Sequence, residues 1–461
     1  MHSVRAVVQD ERGMAVVLGL IALLTLTALV LAFLGVSAFE PQISRNLADG
    51  TKARYLAEAG IEQALDTLTS SINGDWNTYL TGATCTTGTT GVVFGTANTA
   101  LPGLTTASGT YTVNIRNDCQ ANDAMLTGVA TDDSGTTEGN GHVILTATGT
   151  FGNATRTVTV VAARVGNLFH TSSPYQVNAA LSFPGYESDM SFSGTSFTVD
   201  GRNHDMNGDL TTGTNMLGIS VGSENQFVPT GGPAMQHATQ IQNSLTSSQK
   251  ADINGMNQTN PSTTTTGDNT IAPSALTSAA VTDFVNIVKT YADITINSSS
   301  ASPVVVSNIG STCGSTPSSI TCWGTVAAPK IVYIKGVTDT SSLFNALTVS
   351  GASTGAGILI VENGDFTING NFDWKGPVIV TGGYVGVGLM GGGTQNITGG
   401  LISNETATNE APGFREAVVT GSGSIRYSRA AIDNTLTLLG AKFAAGGSAY
   451  VRVRLYNFQE P

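Results

Sequence analysis

The feature that most constrains this chain is an uninterrupted apolar stretch near its N-terminus. From Gly13 to Phe39 no residue carries a charge. As a helix, the segment from Met14 to Phe39 would extend ~39 Å, more than the ~30 Å hydrocarbon core of a bilayer. Arg5 and Arg12 precede it, so the positive-inside rule places the start of the chain in the cytoplasm. We expect a segment in the inner membrane and a periplasmic bulk.

The residues after the apolar stretch narrow its interpretation. A cleaved secretory signal could end at the small residues 36–38, but its apolar core would span only ~7–15 residues. Residues 40–72 continue as an amphipathic helix, which a plain membrane anchor does not need. The apolar residues that recur there at roughly helical spacing are Ile43, Leu47, Tyr55, Ala59, Leu65 and Leu68. We therefore predict one helix over 14–72 whose second half is amphipathic.

Residues 11–62 resemble the N-terminal region of the PilX-type minor pilins of type IV pili. The features that match are Glu11-Arg12-Gly13, the long aliphatic run, Glu40, Asn46 and the segment AEAGIE at 57–62. Further likenesses lie at 149–158, which resembles a β-hairpin closing the pilin head, and at 200–205. The resemblance implies a prepilin leader, which a prepilin peptidase would remove by cutting between Gly13 and Met14.

The resemblance also gives a meaning to Leu18. Major pilins carry a glutamate at the fifth mature position, where it is thought to neutralise the N-terminal amine of a neighbouring subunit. Counted from Met14, the fifth residue here is Leu18. An ammonium buried without a partner is costly, so Leu18 resembles the tip-located minor pilins and pseudopilins. The alternative is that the segment is only a membrane anchor.

The composition is typical of an exported β-rich protein rather than a helical cytosolic enzyme. Charged residues make up only 11% of the chain, whereas glycine occurs 55 times. Hydrophobic residues still account for 40%, which disfavours disorder throughout. The net charge of −12 provides no clustered basic surface, so we expect no nucleic-acid partner.

We predict an α+β fold in which a long N-terminal helix and a β-rich pilin head precede a second β-rich region, a short β-solenoid. The predicted parts are a leader (1–13), a transmembrane and amphipathic helix (14–72), the pilin head (73–165), a mixed, linker-containing region (166–300) and a solenoid-like domain (301–461). Within the head, alternating residues on both sides of Gly152-Asn153 predict a hairpin.

The solenoid prediction rests on an internal repeat. Glycine recurs every six residues at Gly364, Gly370, Gly376, Gly382 and Gly388. Two positions after each glycine stand Phe366, Phe372, Val378, Tyr384 and Met390. Short strands punctuated by glycine at a fixed period indicate parallel solenoid coils. An antiparallel meander with glycine turns is the alternative.

Four cysteines in an exported chain predict disulfides. The simplest pairing joins Cys85 to Cys119 and Cys313 to Cys322, each pair within one predicted region. A zinc site is disfavoured, because C-x-x-C spacing and a usable histidine are missing from the sequence around them.

The sequence offers one candidate metal site. Oxygen ligands alternate closely over residues 200–209, and we predict that Asp200, Asp205 and Asp209 bind Ca²⁺. The segment departs from an EF-hand loop, since glycine occupies its second position and no glutamate closes it. A loop in which Asp and Asn form Asx turns is the alternative. We expect no other cofactor.

A solenoid also invites a rival function, that of a membrane-anchored, polysaccharide-active enzyme. The dense set of ionisable residues there is Glu362, Asp365, Asp373 and Lys375. Aspartate beside a glycine-bounded turn is common for backbone reasons. The sequence also lacks G-x-S-x-G, H-E-x-x-H and P-loop motifs. We therefore expect no catalytic residues and no enzymatic activity.

Together, these features predict a non-enzymatic minor type IV pilin that acts in pilus assembly, in tip display with adhesion, or in both. Its expected partners are other pilin subunits, the prepilin peptidase and the inner membrane before assembly. Once displayed on the pilus at the cell surface, it would contact a host, a surface or a polysaccharide. The alternatives are a minor pseudopilin of type II secretion and the membrane-anchored solenoid enzyme.

Overall fold

The structure is a computed structural model, and the chain in it divides into two compact units. One comprises Met1–Ala163 with Val453–Pro461, and the other comprises Arg164–Arg452. The second unit is therefore an insertion near the end of the first. The residues that the structure describes are 4–72, 75–173, 175–185, 190–193, 196–222, 226–227, 235–256, 258–259, 270–337, 345–407, 416–420, 422–443 and 449–460.

Helices and strands are numbered along the chain. The helices are α1 (Val4–Ser70), α2 (Asp123–Thr127), α3 (His237–Ser244), α4 (Ser247–Lys250), α5 (Ser278–Val288) and α6 (Arg429–Lys442), with 3-10 turns at Trp76–Tyr79, Thr106–Ser108 and Lys289–Tyr291. The strands are β1 (Val92–Val93), β2 (Thr110–Asn117), β3 (His142–Phe151), β4 (Ala154–Gly166), β5 (Ala179–Phe183), β6 (Met190–Ser193), β7 (Thr198–Asp200), β8 (Leu217–Gly222), β9 (Gln226–Phe227), β10 (Met235–Gln236), β11 (Ile253–Gly255), β12 (Gln258–Thr259), β13 (Ile271–Ser274), β14 (Ile294–Asn297), β15 (Val304–Ser307), β16 (Lys330–Lys335), β17 (Asn345–Glu362), β18 (Asp365–Gly382), β19 (Val387–Leu389), β20 (Thr394–Glu405), β21 (Ala417–Thr420), β22 (Ser422–Arg426) and β23 (Tyr450–Gln459).

The first unit is built on a five-stranded sheet in the order β1-β2-β3-β4-β23. The pairs from β1 to β4 are antiparallel. Strands β3 and β4 form the predicted hairpin, because Phe151 pairs with Ala154 across a turn of Gly152 and Asn153. The positive φ of Gly152, 57°, suits this tight turn. The last strand of the chain completes this sheet at the edge beside β4.

The second half of α1 packs on this sheet through small side chains. Its buried apolar residues follow helical spacing: Ala53, Leu56, Ala57, Ile61, Ala64 and Leu68. The helix approaches β3 so closely that a Cβ on Gly149 would lie 2.0 Å from the carbonyl oxygen of Ala53. Glycine on the strand and alanine on the helix therefore set the distance between the two elements.

The second unit contains a 16-stranded sheet that is organised in three rows of strands. The first row runs β14, β16, β17, β18, β20, β5, β8 and β13. The second runs β15, β17, β18, β19, β21 and β6, and the third runs β17, β18, β20, β22, β7 and β11. Every pairing within these rows is parallel, so the described strands do not form the antiparallel meander.

The six-residue glycine repeat is explained by the bends of one long strand. Gly364, Gly370, Gly376 and Gly382 bound three short sides of β18, each of which belongs to a different row. A Cβ on Gly376 would lie 2.0 Å from the carbonyl oxygen of Gly357 in the neighbouring strand β17, so close stacking requires glycine at this bend.

The repeat does not extend beyond this strand. Gly388 lies inside β19 rather than at a bend. The apolar positions of the repeat divide in the same way: Phe366, Phe372 and Val378 are fully buried, whereas Tyr384 is half-buried and Met390 is exposed. Of the five glycines in the expected repeat, four therefore bound the sides of the bent strand β18, and the fifth, Gly388, matches the period only in sequence.

The rows do not follow chain order. Strand β20 pairs with β5, where Leu401 faces Leu181 and Ile402 faces Ser182. Likewise β21 pairs with β6 and β22 with β7. We call these three pairings the seam. In the first row the chain thus enters at β5, runs through β8 to β13 at one end, passes through α5, restarts at β14 at the other end and returns to the seam at β20.

The seam shows how the predicted fold class and domain boundaries compare with the structure. An α+β fold with a long N-terminal helix and a β-rich remainder is confirmed. In contrast to the expected boundary at residue 300, strands from 179–274 and from 294–426 share the same rows and the same hydrophobic core. The end of the chain, Val453–Pro461, belongs to the first unit rather than to the region 301–461.

Candidate functional site

The first half of α1 is the most distinctive surface of the described chain. From Met14 to Leu34 its large apolar side chains are exposed on every side of the helix. The segment is long and apolar enough to cross a membrane. A helix that exposes apolar residues all round requires apolar surroundings, which a bilayer or a bundle of similar helices provides.

The helix continues beyond this segment without interruption. Glu40 is the first charged residue after Gly13, and Pro41 lies inside the helix. Proline has no N–H, so the backbone bond that residue 41 would donate to the carbonyl of Ser37 is missing. Despite this missing bond, α1 runs on to Ser70. One helix therefore joins the exposed apolar half to the half that packs on the sheet.

The amphipathic continuation differs in detail from the prediction. Leu68 is buried, and Ala59 and Leu65 are half-buried, as a face under the head requires. Ile43, Leu47 and Tyr55 are exposed by 66%, 71% and 63%, so they do not pack on the described head. Phe39, the last residue of the uncharged stretch, is also exposed, and these three side chains continue the apolar surface of the helix beyond it.

The residues that the sequence predicts to take part in processing and filament position lie on this helix. Gly13 and Met14 are both within α1, and cleavage between them stays a prediction. Leu18 is 64% exposed on the apolar half of α1. The uncharged stretch around it therefore offers no carboxylate for a neighbouring ammonium.

The structure gives the three candidate calcium ligands different surroundings. Asp200 is buried and accepts hydrogen bonds from Arg202 at 2.9 Å (Nε to Oδ1) and 2.6 Å (Nη2 to Oδ2). Asp205 Oδ1 accepts from the backbone N–H groups of Asn207, at 2.8 Å, and Asp209, at 3.0 Å. The bond from Asp209 is the main cause that lowers the pKa of the exposed Asp205 carboxyl.

These contacts are those of Asx turns and a local ion pair. In the part of the chain that the structure describes, no group of three or more His, Cys, Asp or Glu side chains is arranged to hold a metal ion. The carboxylates of Asp200, Asp205 and Asp209 are not brought together as a ligand set. Calcium binding by this loop stays a prediction.

The carboxylates that the sequence offers as catalytic candidates each contact another residue of the chain. Glu362 pairs with Lys289 at 2.8 Å and accepts a hydrogen bond from Tyr333. Asp373 pairs with Lys375 at 2.8 Å. These contacts tie a carboxylate at the end of β17 to the 3-10 turn after α5, and they neutralise a second one on β18.

Asp365 lies on a different row from Asp373, at the start of β18. It accepts a hydrogen bond of 2.9 Å from the backbone N–H of Gly386. Burial raises the pKa of its carboxyl to about 6. This hydrogen bond gives Asp365 a structural role, because it ties the start of β18 to the turn that precedes β19.

The two disulfides are those that the sequence predicted. Cys85 bonds to Cys119 with a Cα–Cα distance of 5.2 Å, and Cys313 bonds to Cys322 with a distance of 4.8 Å. The first joins the region before β1 to the end of β2 in the first unit. The second closes a short loop before β16 in the second unit.

Sequence reasoning missed a cavity of about 630 Å³ between α1 and the β3–β4 turn. We call it the basal cavity. It is lined by Arg45, Asn46, Asp49 and Gly50 of the helix, and by Gly152, Asn153, Ala154, Thr155 and Arg156 of the hairpin. An arginine shortly after the apolar stretch and another just after a Gly-Asn turn were the available signals, but only the fold brings them together.

Comparisons with known proteins add a weak structural likeness. No family model matches the chain, and no curated protein matches it. Among solved structures, the chain is similar to the competence-associated pilin ComZ from Thermus thermophilus, with 12% identity over 90% of this chain and 98% of that one. The TM-score is 0.23. That likeness is too weak to assign the chain to a family.

Proposed function

We propose that the chain is a minor subunit of a type IV pilus or a closely related filament, with a structural and non-enzymatic role. The observation that carries this proposal is α1. Its first half exposes apolar side chains on all sides, and its second half packs under an antiparallel sheet. A subunit of this form rests in the bilayer through its apolar half and then exchanges lipid for the equivalent helices of other subunits.

The proposed partners follow from this exchange. Other pilin subunits would cover the apolar half of α1 and the exposed Ile43, Leu47 and Tyr55. A prepilin peptidase would act between Gly13 and Met14. Because Leu18 supplies no carboxylate for a neighbour's amine, the subunit would occupy few positions, at or near the tip.

We further propose that the second unit is a short β-solenoid displayed for adhesion to a host, a surface or a polysaccharide. Three rows of parallel strands and the glycine bends of β18 support this architecture. Solenoids present extended, regular surfaces, and extended surfaces suit contact with large or repetitive ligands.

Two other functions lead to different expectations. A minor pseudopilin of type II secretion would share α1 and the head. It would differ in one respect, because deletion of the protein would then reduce the export of secreted enzymes. A membrane-anchored solenoid enzyme would need converging catalytic carboxylates. The partners found for Glu362, Asp365 and Asp373 favour a structural role for these residues.

The experiment follows processing and incorporation in the native host. Gly13→Leu should block cleavage and leave full-length protein in the membrane, absent from sheared filaments. Gly19→Leu is the matched control, because a Cβ at Gly19 has no neighbour within 4 Å. Mass spectrometry of the mature N-terminus should find Met14 in the wild type and the control. A mature start at Phe39 would contradict the proposal and indicate a secretory signal.

A further inference from the structure

The loop that leads into β3, residues 130–141, folds over the end of β2. Asn117 is the last residue of β2, and its side-chain amide lies inside this loop. Its Nδ2 is 2.9 Å from Oδ2 of Asp132 and 2.7 Å from the backbone carbonyl oxygens of both Ser134 and Thr137. An amide nitrogen carries two hydrogens, so one of these three oxygens receives none from it. Three oxygen atoms therefore converge on one point inside the loop.

The oxygen of the same amide is buried without a hydrogen bond. Asn117 is 1% exposed, and within the described residues its Oδ1 accepts from no donor. A buried acceptor without a partner is costly, and in native proteins such a group calls for a bound water or ion. If the amide turned, Oδ1 would face the same three oxygens. Oxygen atoms that face one another repel, so that orientation requires a cation between them.

The charge at this point is negative, and no basic side chain neutralises it in the part of the chain that the structure describes. The Asp132 carboxylate accepts only from uncharged donors, the Asn117 amide and the backbone N–H of Gly139 at 2.8 Å. The arginine next to Asn117 in sequence, Arg116, pairs instead with Asp123 at 2.8 Å (Nη2 to Oδ1). A cation bound beside Asp132 would therefore meet an uncompensated carboxylate.

We propose that this loop binds a calcium ion through four oxygen ligands: the Asp132 carboxylate, the carbonyl oxygens of Ser134 and Thr137, and Oδ1 of Asn117. Carboxylate, carbonyl and amide oxygens are the ligands of Ca²⁺, at ~2.3–2.6 Å. The three converging oxygens lie 2.7–2.9 Å from their common point, so each has to move by only roughly 0.3 Å. The Asn117 amide withdraws from that point and turns its oxygen toward it. Most of the loop is half-buried or exposed, so the ion and its water ligands can enter from solvent.

A ligand set with a single carboxylate predicts weak binding. Calcium affinity depends on the charge of the ligands, and extracellular modules bind with a Kd of about 10⁻⁴–10⁻³ M. We expect a Kd in that range. The bound ion would tie the end of β2 to the segment that enters β3 and would hold the loop closed. This inference does not depend on the proposed function, because all four ligands lie outside α1 and filament incorporation is not measured.

Hydrogen exchange of the full chain in micelles tests the proposal. With about 10 mM CaCl₂ in place of EDTA, opening of the loop should fall by the factor 1 + [Ca²⁺]/Kd, roughly 10- to 100-fold. Peptides that cover 130–141 should therefore exchange more slowly, and β18 peptides should not change. The same concentration of MgCl₂ should protect the loop less, because Mg²⁺ demands shorter bonds in near-ideal octahedral geometry. Equal exchange in CaCl₂ and EDTA, or equal protection by Mg²⁺, would overturn the proposal.

Asp132→Asn removes the charged ligand, and Asp133→Asn is its matched control. Asp133 is exposed, so the control removes the same charge from the adjacent residue of the same loop. The Kd, read from the calcium dependence of exchange, should rise at least about tenfold in Asp132→Asn and by less than about twofold in the control. An equal rise in both variants would show a diffuse charge effect and contradict the proposal. Protection confined to peptides around 200–209 would place the ion in that loop and would also contradict it.

Asn117→Asp keeps the test decisive if Asp132→Asn does not fold. The variant replaces the amide with a second carboxylate, so in EDTA the loop should open more often than in the wild type. Calcium should restore its protection and bind at least about fivefold more tightly, because the ligand set gains a charge. If Asn117 served only to hold the loop through its hydrogen bonds, calcium would leave this variant unprotected, and the proposed site would be wrong.

Discussion

The contact between α1 and β3 offers a sharp test of how the first unit is held together. Gly149→Ala adds a single methyl group where the backbones of the two elements meet. Its Cβ would lie 2.0 Å from the carbonyl oxygen of Ala53 and 2.6 Å from the backbone nitrogen of Ala57. Both neighbours are backbone atoms of the helix, so no side-chain rotation relieves the clash.

The loss in free energy of unfolding follows from how far α1 and β3 must separate to admit the methyl group. Ordinary contact begins near 3.4 Å, so the helix and the strand must separate locally by about 1.4 Å. A gap of only 0.5–1 Å already removes about a quarter to a half of the dispersion energy of the atoms that face it. Overpacking costs typically about 1–3 kcal/mol, and we expect the upper end here, about 3 kcal/mol, because Leu56 and Ile61 lose contacts as well.

Hydrogen exchange of the full chain in micelles measures this locally. A loss of about 3 kcal/mol should accelerate exchange of β3 peptides roughly 150-fold, whereas β18 peptides in the second unit should be unchanged. Gly314→Ala is the control, because nothing lies within 4 Å of its Cβ position. If β3 exchanges at the same rate in both variants, the close-packing argument is refuted.

Three further predictions follow from the structure. Removing the Cys85–Cys119 disulfide, with a sequence separation of 34, should lower the free energy of unfolding by ~3.8 kcal/mol, and removing Cys313–Cys322, with a separation of 9, by ~2.6 kcal/mol. In urea titrations the unfolding midpoint of the first unit should therefore fall more on loss of its disulfide than the midpoint of the second unit does on loss of its own. Burial raises the pKa of the Asp118 carboxyl from 3.8 to about 7, so the folded state binds the extra proton and stability falls as pH rises from about 4 to about 7. Asp118→Asn should flatten that slope in urea titrations, and an unchanged slope would remove Asp118 as its cause. Leu18→Glu should raise the amount of this subunit relative to the major pilin in sheared filaments, and a fall in that ratio would contradict the carboxylate argument.

The parts of the fold that depend on local patterns could be predicted from the sequence. The uncharged run predicts α1, and the Gly152-Asn153 dipeptide predicts the β3–β4 hairpin. Each of these elements depends on residues that are neighbours in the sequence. The disulfides were predictable because each joins two cysteines of one predicted region, at sequence separations of 34 and 9. The glycine period was real over β18, where the bends of one strand impose it.

The long-range organisation could not be predicted in this way. Nothing in the pattern of residues 179–183 shows that they pair with 401–402 rather than with a strand that is nearer in sequence. Apolar runs such as 358–361 are buried on both faces, so they show no alternation from which partners or faces could be inferred. The basal cavity was missed for a related reason, because Arg45 and Arg156 are joined only by the packing of α1 on the hairpin.

The topology builds the first unit from both ends of the chain. The first unit contains both α1 and the last strand, so its sheet is completed by the end of the chain. Residues 164–452 enter between β4 and β23 and close on themselves at the seam. The edges of β5, β6 and β7 are paired only when β20, β21 and β22 arrive, and unpaired edges invite aggregation. The second unit therefore gains protection for these edges from its own later strands.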